Sequence, residues 1–350
     1  MSVVNANRGE WSELYALAYL LTKGGGYGAD RNSQKNEGEY YEVLEVIDKT
    51  AESSQIIYRT QKSKIEIVRE ADSKIKIEKE ILESSMQEFL QDLLIAQSSA
   101  AFSSISGTRI LDILKKQKPS ASSASTTDTF LVLRDSASHK PLEPLAFSIK
   151  SEIGNPATIF NASGSTNVIY RIKGLTQPSK FAKIKGLKAK LQSLINSGCT
   201  LEFESYESST FKTNLENIDP NFPKNLAKLI LNYYTSDKTK VAKVAESTFP
   251  NSNPGSEFTV KNLKKFLSAA SMGLKANTPW DGYPEDFGGL LLVKRNGDVL
   301  FYFMQNLSNF EDFLFENLRF ETPSTSRHGF GNIEKIDQSF CIKLNLQIRF

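Results

Sequence analysis

Alternating strands beside helices with apolar stripes put this 350-residue chain in the α/β (α+β) class. The expected architecture is a mixed β-sheet flanked by helices, with added strands and a separate C-terminal region. Three stretches predict it. Near the N-terminus, Trp11, Leu14, Tyr15, Ala18 and Leu21 recur at helical spacing. In the middle, TFLVLRD and LAFSIKS read as neighbouring strands; Leu145, Phe147 and Ile149 share one face, and Ala146, Ser148 and Lys150 the other. Towards the C-terminus, GLLLVKRNGDVLFYFM reads as a hairpin turning at Asn296-Gly297.

The first helix opens at Asn7, which can cap it, with Glu10 as reciprocal partner. GGGYGAD closes it, glycine supplying the left-handed cap. Residues 39–79 read as charged-edge strands, clearest in SKIEIV and SKIKIE, whose lysines suit a solvated face better than a DNA backbone. Helices follow at 80–97, with Ile81, Met86, Phe89, Leu90, Leu93 and Leu94 as the buried stripe, and at 108–117. PSASSASTT, 119–127, is a serine-rich linker into the central strands. Beyond them, IFNASGSTNVIY sets small polar residues between two apolar pieces. A helix over 180–194 is basic, carrying Lys180, Lys183, Lys185, Lys188 and Lys190 on a phosphate-facing or merely solvated surface. Helices at 221–234 and 259–273 precede a Pro/Gly-rich loop, the hairpin, a short helix in NFEDFLFENLRFE and a polar loop. In the closing strand FCIKLNLQIRF, regular alternation sets Lys343, Asn345, Gln347 and Arg349 in one row. That row suits a groove or an exposed sheet face.

A lysine beside a serine is an odd choice for an apolar core strand. It is sensible if that face holds a metal and a phosphate. Asp128 opens the first central strand; Ser148 and Lys150 lie on the second. Mg2+ takes few carboxylates and keeps waters and phosphate oxygens. Such an ion polarises a phosphate and eases deprotonation of a water, and a nearby cation stabilises the developing charge. Taken alone, Asp-x(n)-Ser-x-Lys is weak; an ordinary hairpin with a surface lysine matches it too.

The surrounding text is far more specific. FSIKSEIGNPATIFNASGSTNVIYRI in the middle, NRGEWSELYALAYLL at the start and SFCIKLNLQIRF at the end resemble the HpaII-type family of type II restriction endonucleases, within the PD-(D/E)xK superfamily. The resemblance therefore spans the whole chain. It implies a restriction-endonuclease-like core and Mg2+-dependent hydrolysis of double-stranded DNA at a short palindrome, CCGG, leaving 5′-phosphate and 3′-hydroxyl ends. It further implies that Asp128 and the Ile149 carbonyl hold the ion and that Lys150 sits by the attacking water. Ser148 stands where the family pattern has a second acid. It would hydrogen-bond a water on the ion; no histidine lies near it in sequence to make it a nucleophile. The missing carboxylate would come from Glu13 on the early helix (Glu10 being the weaker choice) or from Glu152, if the strand runs on. A companion methyltransferase and a bacterial cytoplasmic setting go with the family; a palindromic target favours a homodimer on DNA, with a monomer acting strand by strand as the alternative.

Composition narrows the alternatives. The net charge of +3 and pI of about 8.6 are too mild for a general DNA coater. Two cysteines, Cys199 and Cys341, make neither a disulfide framework nor a four-cysteine zinc site, and two histidines, His139 and His328, argue against zinc hydrolases. No apolar run is long enough to span a membrane.

For DNA contact the candidates are Asn161, Ser163, Thr166 and Asn167, which also suit a tight turn. Arg327 and His328 join them from the C-terminal polar loop, and Gln347 and Arg349 from the last strand. Arg327 leads for base reading, because arginine bidentate to guanine is the commonest specific contact; pairing with a nearby acid is the alternative. The expected division is a nuclease core over 1–254, with helix 7–22 and strands 128–172, and a DNA-recognition region over 255–350. Rival readings are a DNA binder whose site has decayed and a nuclease of repair or mobile-element defence.

Overall fold

A computed structural model describes residues 4–51, 54–69, 74–96, 101–120, 127–154, 158–250, 255–282, 286–304 and 307–350. The chain forms two compact units, Met1–Ala157 with Pro284–Phe310, and Thr158–Tyr283 with Glu311–Phe350. Most of the serine-rich linker, 121–126, lies outside the described residues, as do 283–285 of the Pro/Gly-rich loop.

The first unit is built on a mixed nine-stranded sheet among the described residues. Its strand order is Gly25–Ala29, Val299–Phe303, Phe287–Val293, Leu145–Ser151, Thr129–Leu133, Lys35–Ala51, Ser54–Thr60, Lys64–Val68 and Lys74–Glu78. The two central strands are neighbours, as expected, and pair antiparallel with Thr129 opposite Phe147. Phe287–Val293 lies parallel to Leu145–Ser151, placing Leu290 beside Ser148 and Leu292 beside Lys150. Lysines and a glutamate on the outermost strand blunt the open sheet edge.

One face is covered by helices Arg8–Lys23, Lys79–Ile95 and Ile105–Leu114. The first is closed by the expected capping box: Glu10 N–H donates to Asn7 Oδ1 at 3.0 Å, and Asn7 N–H to Glu10 Oε2 at 2.6 Å. Trp11 is fully buried, with the Phe89 ring edge-on at 5.6 Å. With Leu14, Val46, Leu131, Phe147, Ile149, Leu291 and Phe301 it forms the core. Full burial of each such side chain stabilises by about 1.5–3 kcal/mol. Gly107 lets the helices cross this closely, since a Cβ there would lie 2.7 Å from Phe89 and 2.8 Å from Trp11.

The second unit holds a four-stranded antiparallel sheet in the order Thr200–Tyr206, Asn167–Lys173, Ser339–Asn345 and Ile333–Ile336. A smaller sheet joins Thr158–Phe160, Ile348–Arg349 and Arg319–Phe320. Phe211, Phe222 and Phe266 are fully buried beneath helices Ser209–Ile218, Phe222–Thr235 and Ser256–Ser271.

Several expectations shift. The closing strand breaks after Asn345, and Ile348–Arg349 joins the other sheet, so the row from Lys343 to Arg349 is not continuous. The basic helix is two, Pro178–Ala182 and Leu187–Asn196, parted at Gly186 with φ +86°. The structure adds strand Thr200–Tyr206 and helices Ser209–Ile218 and Val241–Thr248. Their short, polar-rich sequences carry no long apolar stripe. No described helix is long and apolar enough to cross a membrane, and both cysteines are free and buried.

Candidate active site

Asp128 and Lys150 meet on neighbouring strands because Asp128 enters its strand already bonded to the next. Its N–H donates to the Phe147 carbonyl at 3.1 Å, and its Oδ2 accepts the Ile149 N–H at 2.6 Å. The carboxylate is thereby pinned against the strand backbone between Ser148 and Lys150. Burial pushes the Asp128 carboxyl's pKa up. The Lys150 ammonium, the Ile149 N–H and the Ser148 hydroxyl each pull it down without cancelling that effect. Ser148, 3% exposed, thus gives its hydroxyl to Asp128.

A buried carboxylate whose charged form is penalised is a group that a divalent cation would relieve. Among the described residues no three His, Cys, Asp or Glu side chains cluster around one point. A bound ion would rest on Asp128, backbone oxygen, waters and substrate, which is the coordination a small hard cation accepts.

The two acids expected to complete the site are placed differently. Glu152 follows the last residue of the strand; its N–H donates to the Val293 carbonyl at 2.9 Å, and its carboxylate pairs with Lys294 at 2.5 Å. Glu13, half-buried, rides on the N-terminal helix. That helix packs on the face of Phe147, Ile149 and Ser151, with Ser12 Oγ donating to Ser151 Oγ at 3.0 Å. Alternation turns Ser148 and Lys150 to the opposite face. Lys294 is the residue that sequence reading missed. It directly follows Val293, the last residue of the strand parallel to the Lys150 strand, a pairing between segments far apart in the chain; the basic pair before Asn296-Gly297 is its only local signal.

In the second unit, Asn161 is exposed and Ser163 half-buried at the start of a loop. Arg327 is exposed and His328 half-buried on the one-turn helix Thr325–His328, capped by Ser324 Oγ on the Arg327 N–H at 3.4 Å. The two loops are neighbours, since Asn167 Nδ2 donates to the His328 carbonyl at 2.9 Å and Asn345 Nδ2 to the Ser163 carbonyl at 2.7 Å. Thr166 and Asn167 themselves are each 1% exposed, with their side chains turned inward. Gln347 is 8% exposed, and Arg349 pairs with Glu321 at 3.0 Å.

The family model for the HpaII restriction endonuclease matches residues 7–350. The type II restriction enzyme HpaII of Haemophilus parainfluenzae is 36% identical over 366 aligned positions, covering 99% of this chain and 98% of that protein. The chain belongs to the HpaII restriction endonuclease family. It is therefore a site-specific endonuclease, and a mixed sheet flanked by helices is the architecture such an enzyme calls for. Members of the HpaII family, as restriction endonucleases, act on double-stranded DNA with a divalent metal cofactor. No solved structure gives a significant match.

Proposed function

We propose that this enzyme cuts both strands of a short palindrome, CCGG by its likeness to HpaII, and that Asp128 and Lys150 carry the chemistry. The pinning of the Asp128 carboxylate beside Lys150 supports this reading above all else. Asp128 and the Ile149 carbonyl hold Mg2+, which when bound draws charge from the scissile phosphate and eases loss of a proton from water. Lys150 orients the attacking water and stabilises its developing negative charge. Water oxygen bonds to phosphorus, the bond to the 3′-oxygen breaks, and that oxygen leaves as a hydroxyl while the 5′-phosphate stays on the other fragment. Ser148 holds Asp128 in place and is not the nucleophile. The further carboxylate is Glu13 or Glu152; the helix bearing Glu13 covers the sheet face opposite Lys150, and Glu152 is paired with Lys294, so either would have to move to serve.

The work divides along the compact units more naturally than at 254/255. The first unit carries the hydrolytic residues, and the second carries Asn161, Ser163, Arg327 and His328 as DNA contacts. Two chains act together on the palindrome, in the cytoplasm of a bacterium whose methyltransferase protects the same sequence.

The deciding experiment is a plasmid digest with Mg2+, followed by sequencing of the fragment ends. Discrete ends at one palindrome are expected, bearing 5′-phosphates. A gel shift without fragments would mean a DNA binder, and scattered nicks would mean a nuclease of another purpose.

A further inference from the structure

The ends of the strands beneath the 161–166 and 324–331 loops hold polar side chains where leucine or valine would pack. Asn167 and Asn345 are register partners on adjacent strands, each 1% exposed. Asn345 Nδ2 donates to Asn167 Oδ1 at 2.6 Å and to the Ser163 carbonyl at 2.7 Å, while its Oδ1 accepts from Thr166 Oγ1 at 3.2 Å. Asn167 Nδ2 donates to Glu207 Oε2 at 2.7 Å and to the His328 carbonyl at 2.9 Å. Glu207 is held in turn by Lys343 at 2.9 Å.

Lys190 adds a third tie. Only 7% exposed, it sends its ammonium to the Gly331 carbonyl at 2.8 Å, and burial pulls its pKa below the usual lysine value. Three buried donors thus end on three loop carbonyls, at Ser163, His328 and Gly331. Burying an amide or an ammonium costs desolvation that an apolar side chain would not incur. What the polar set adds is placement. A hydrogen bond tolerates only a few tenths of an ångström, so both loops keep one spacing. Contacts to base edges need that order of precision, and a loop ordered beforehand loses less entropy on binding.

We propose that Asn167, Asn345 and Lys190 are positioning residues that clamp the 161–166 and 324–331 loops into one rigid reading surface, from which Arg327 and His328 meet base edges. This rests on the reading that the Arg327 loop contacts DNA.

The test uses Asn167→Val, Asn345→Leu, Lys190→Met and Lys190→Arg in the full chain, with Arg327→Ala alongside. Dissociation constants are measured on two short duplexes, one carrying the site mapped from wild-type fragment ends and one with that site scrambled, together with Tm. The clamp variants are expected to lose about tenfold to a hundredfold in affinity for the mapped site, the worth of one good base contact. Affinity for the scrambled duplex, set by phosphate contacts, should hold, and Lys190→Arg should recover part of the loss. The ratio of the two affinities staying at the wild-type value in folded clamp variants, while Arg327→Ala loses it, overturns the clamp alone. Arg327→Ala keeping the ratio overturns the underlying reading and the clamp with it. Both affinities and Tm falling together in every clamp variant shows a scaffold only; should the asparagine variants not fold, Lys190→Met with its arginine rescue decides.

Discussion

Asp128 is held where its charge is disfavoured by burial and relieved by one ammonium, so the two residues answer differently to mutation. Lys150→Ala should leave specific DNA binding intact and slow Mg2+-dependent cleavage by at least about a hundredfold, the lower range for a positioned proton-transfer or charge-stabilising group. Single-turnover digestion with a parallel gel shift checks it. Asp128→Asn should separate stability from activity. A raised folded-state pKa means the folded protein holds that proton more tightly than the unfolded chain. Stability from this group is full below the ordinary carboxylate range and is lost as pH rises through the folded value. Asparagine can still accept the Ile149 N–H and pays no such loss. Without metal, Asp128→Asn should therefore melt above wild type at pH 7, with the gap closing on acidification, and should not cleave. Equal Tm values at pH 7 would remove the case for a penalised carboxylate. The shared face of Ser148 and Lys150 was legible because period-two alternation is a local property, while Asp128 was picked out by the family pattern. Lys294 was not, because only a parallel pairing brings it to Glu152 across 142 residues.

At the scale of elements, the hairpin that delivers Lys294 depends on its turn. Lys294 N–H donates to the Asp298 carbonyl at 2.8 Å and Gly297 N–H to the Lys294 carbonyl at 3.0 Å, a three-residue loop with Gly297 at φ +93°. A Cβ on Gly297 would sit 2.7 Å from Leu90 Cδ2 and 2.8 Å from the Tyr15 hydroxyl, which donates to the Gly297 carbonyl. Gly297→Ala should cost about 1–3 kcal/mol, read as a lower urea midpoint with unchanged slope. An unchanged midpoint would show that the turn yields without strain. The Asn-Gly pair announced this turn, whereas the crowding against Tyr15 is a tertiary fact. The lysines of 180–194 make the same point. By pattern they are alike, yet Lys190 turns inward to a carbonyl while Lys183 and Lys185, just before the break at Gly186, are exposed.

For the whole molecule, the mild net charge of +3 leaves specificity to placed contacts more than to bulk attraction. Sedimentation equilibrium on a duplex with one mapped site should find two chains per duplex; one chain would refute the symmetric dimer. Chelation should abolish cleavage and added Mg2+ restore it, while cleavage persisting in chelator would remove the metal from the account.

By itself the sequence determined the local grammar: the capping box at Asn7, the alternation of the central strands and the Asn-Gly turn. Each depends on atoms within a few residues, so neighbours in the chain suffice to specify it. Only the tertiary structure decided which polar side chains turn inward, where the closing strand leaves its sheet after Asn345, and which strand lies parallel to the one bearing Lys150. The reason is that a strand or helix pattern offers two faces or several, and the partner that makes one of them dry comes from far along the chain.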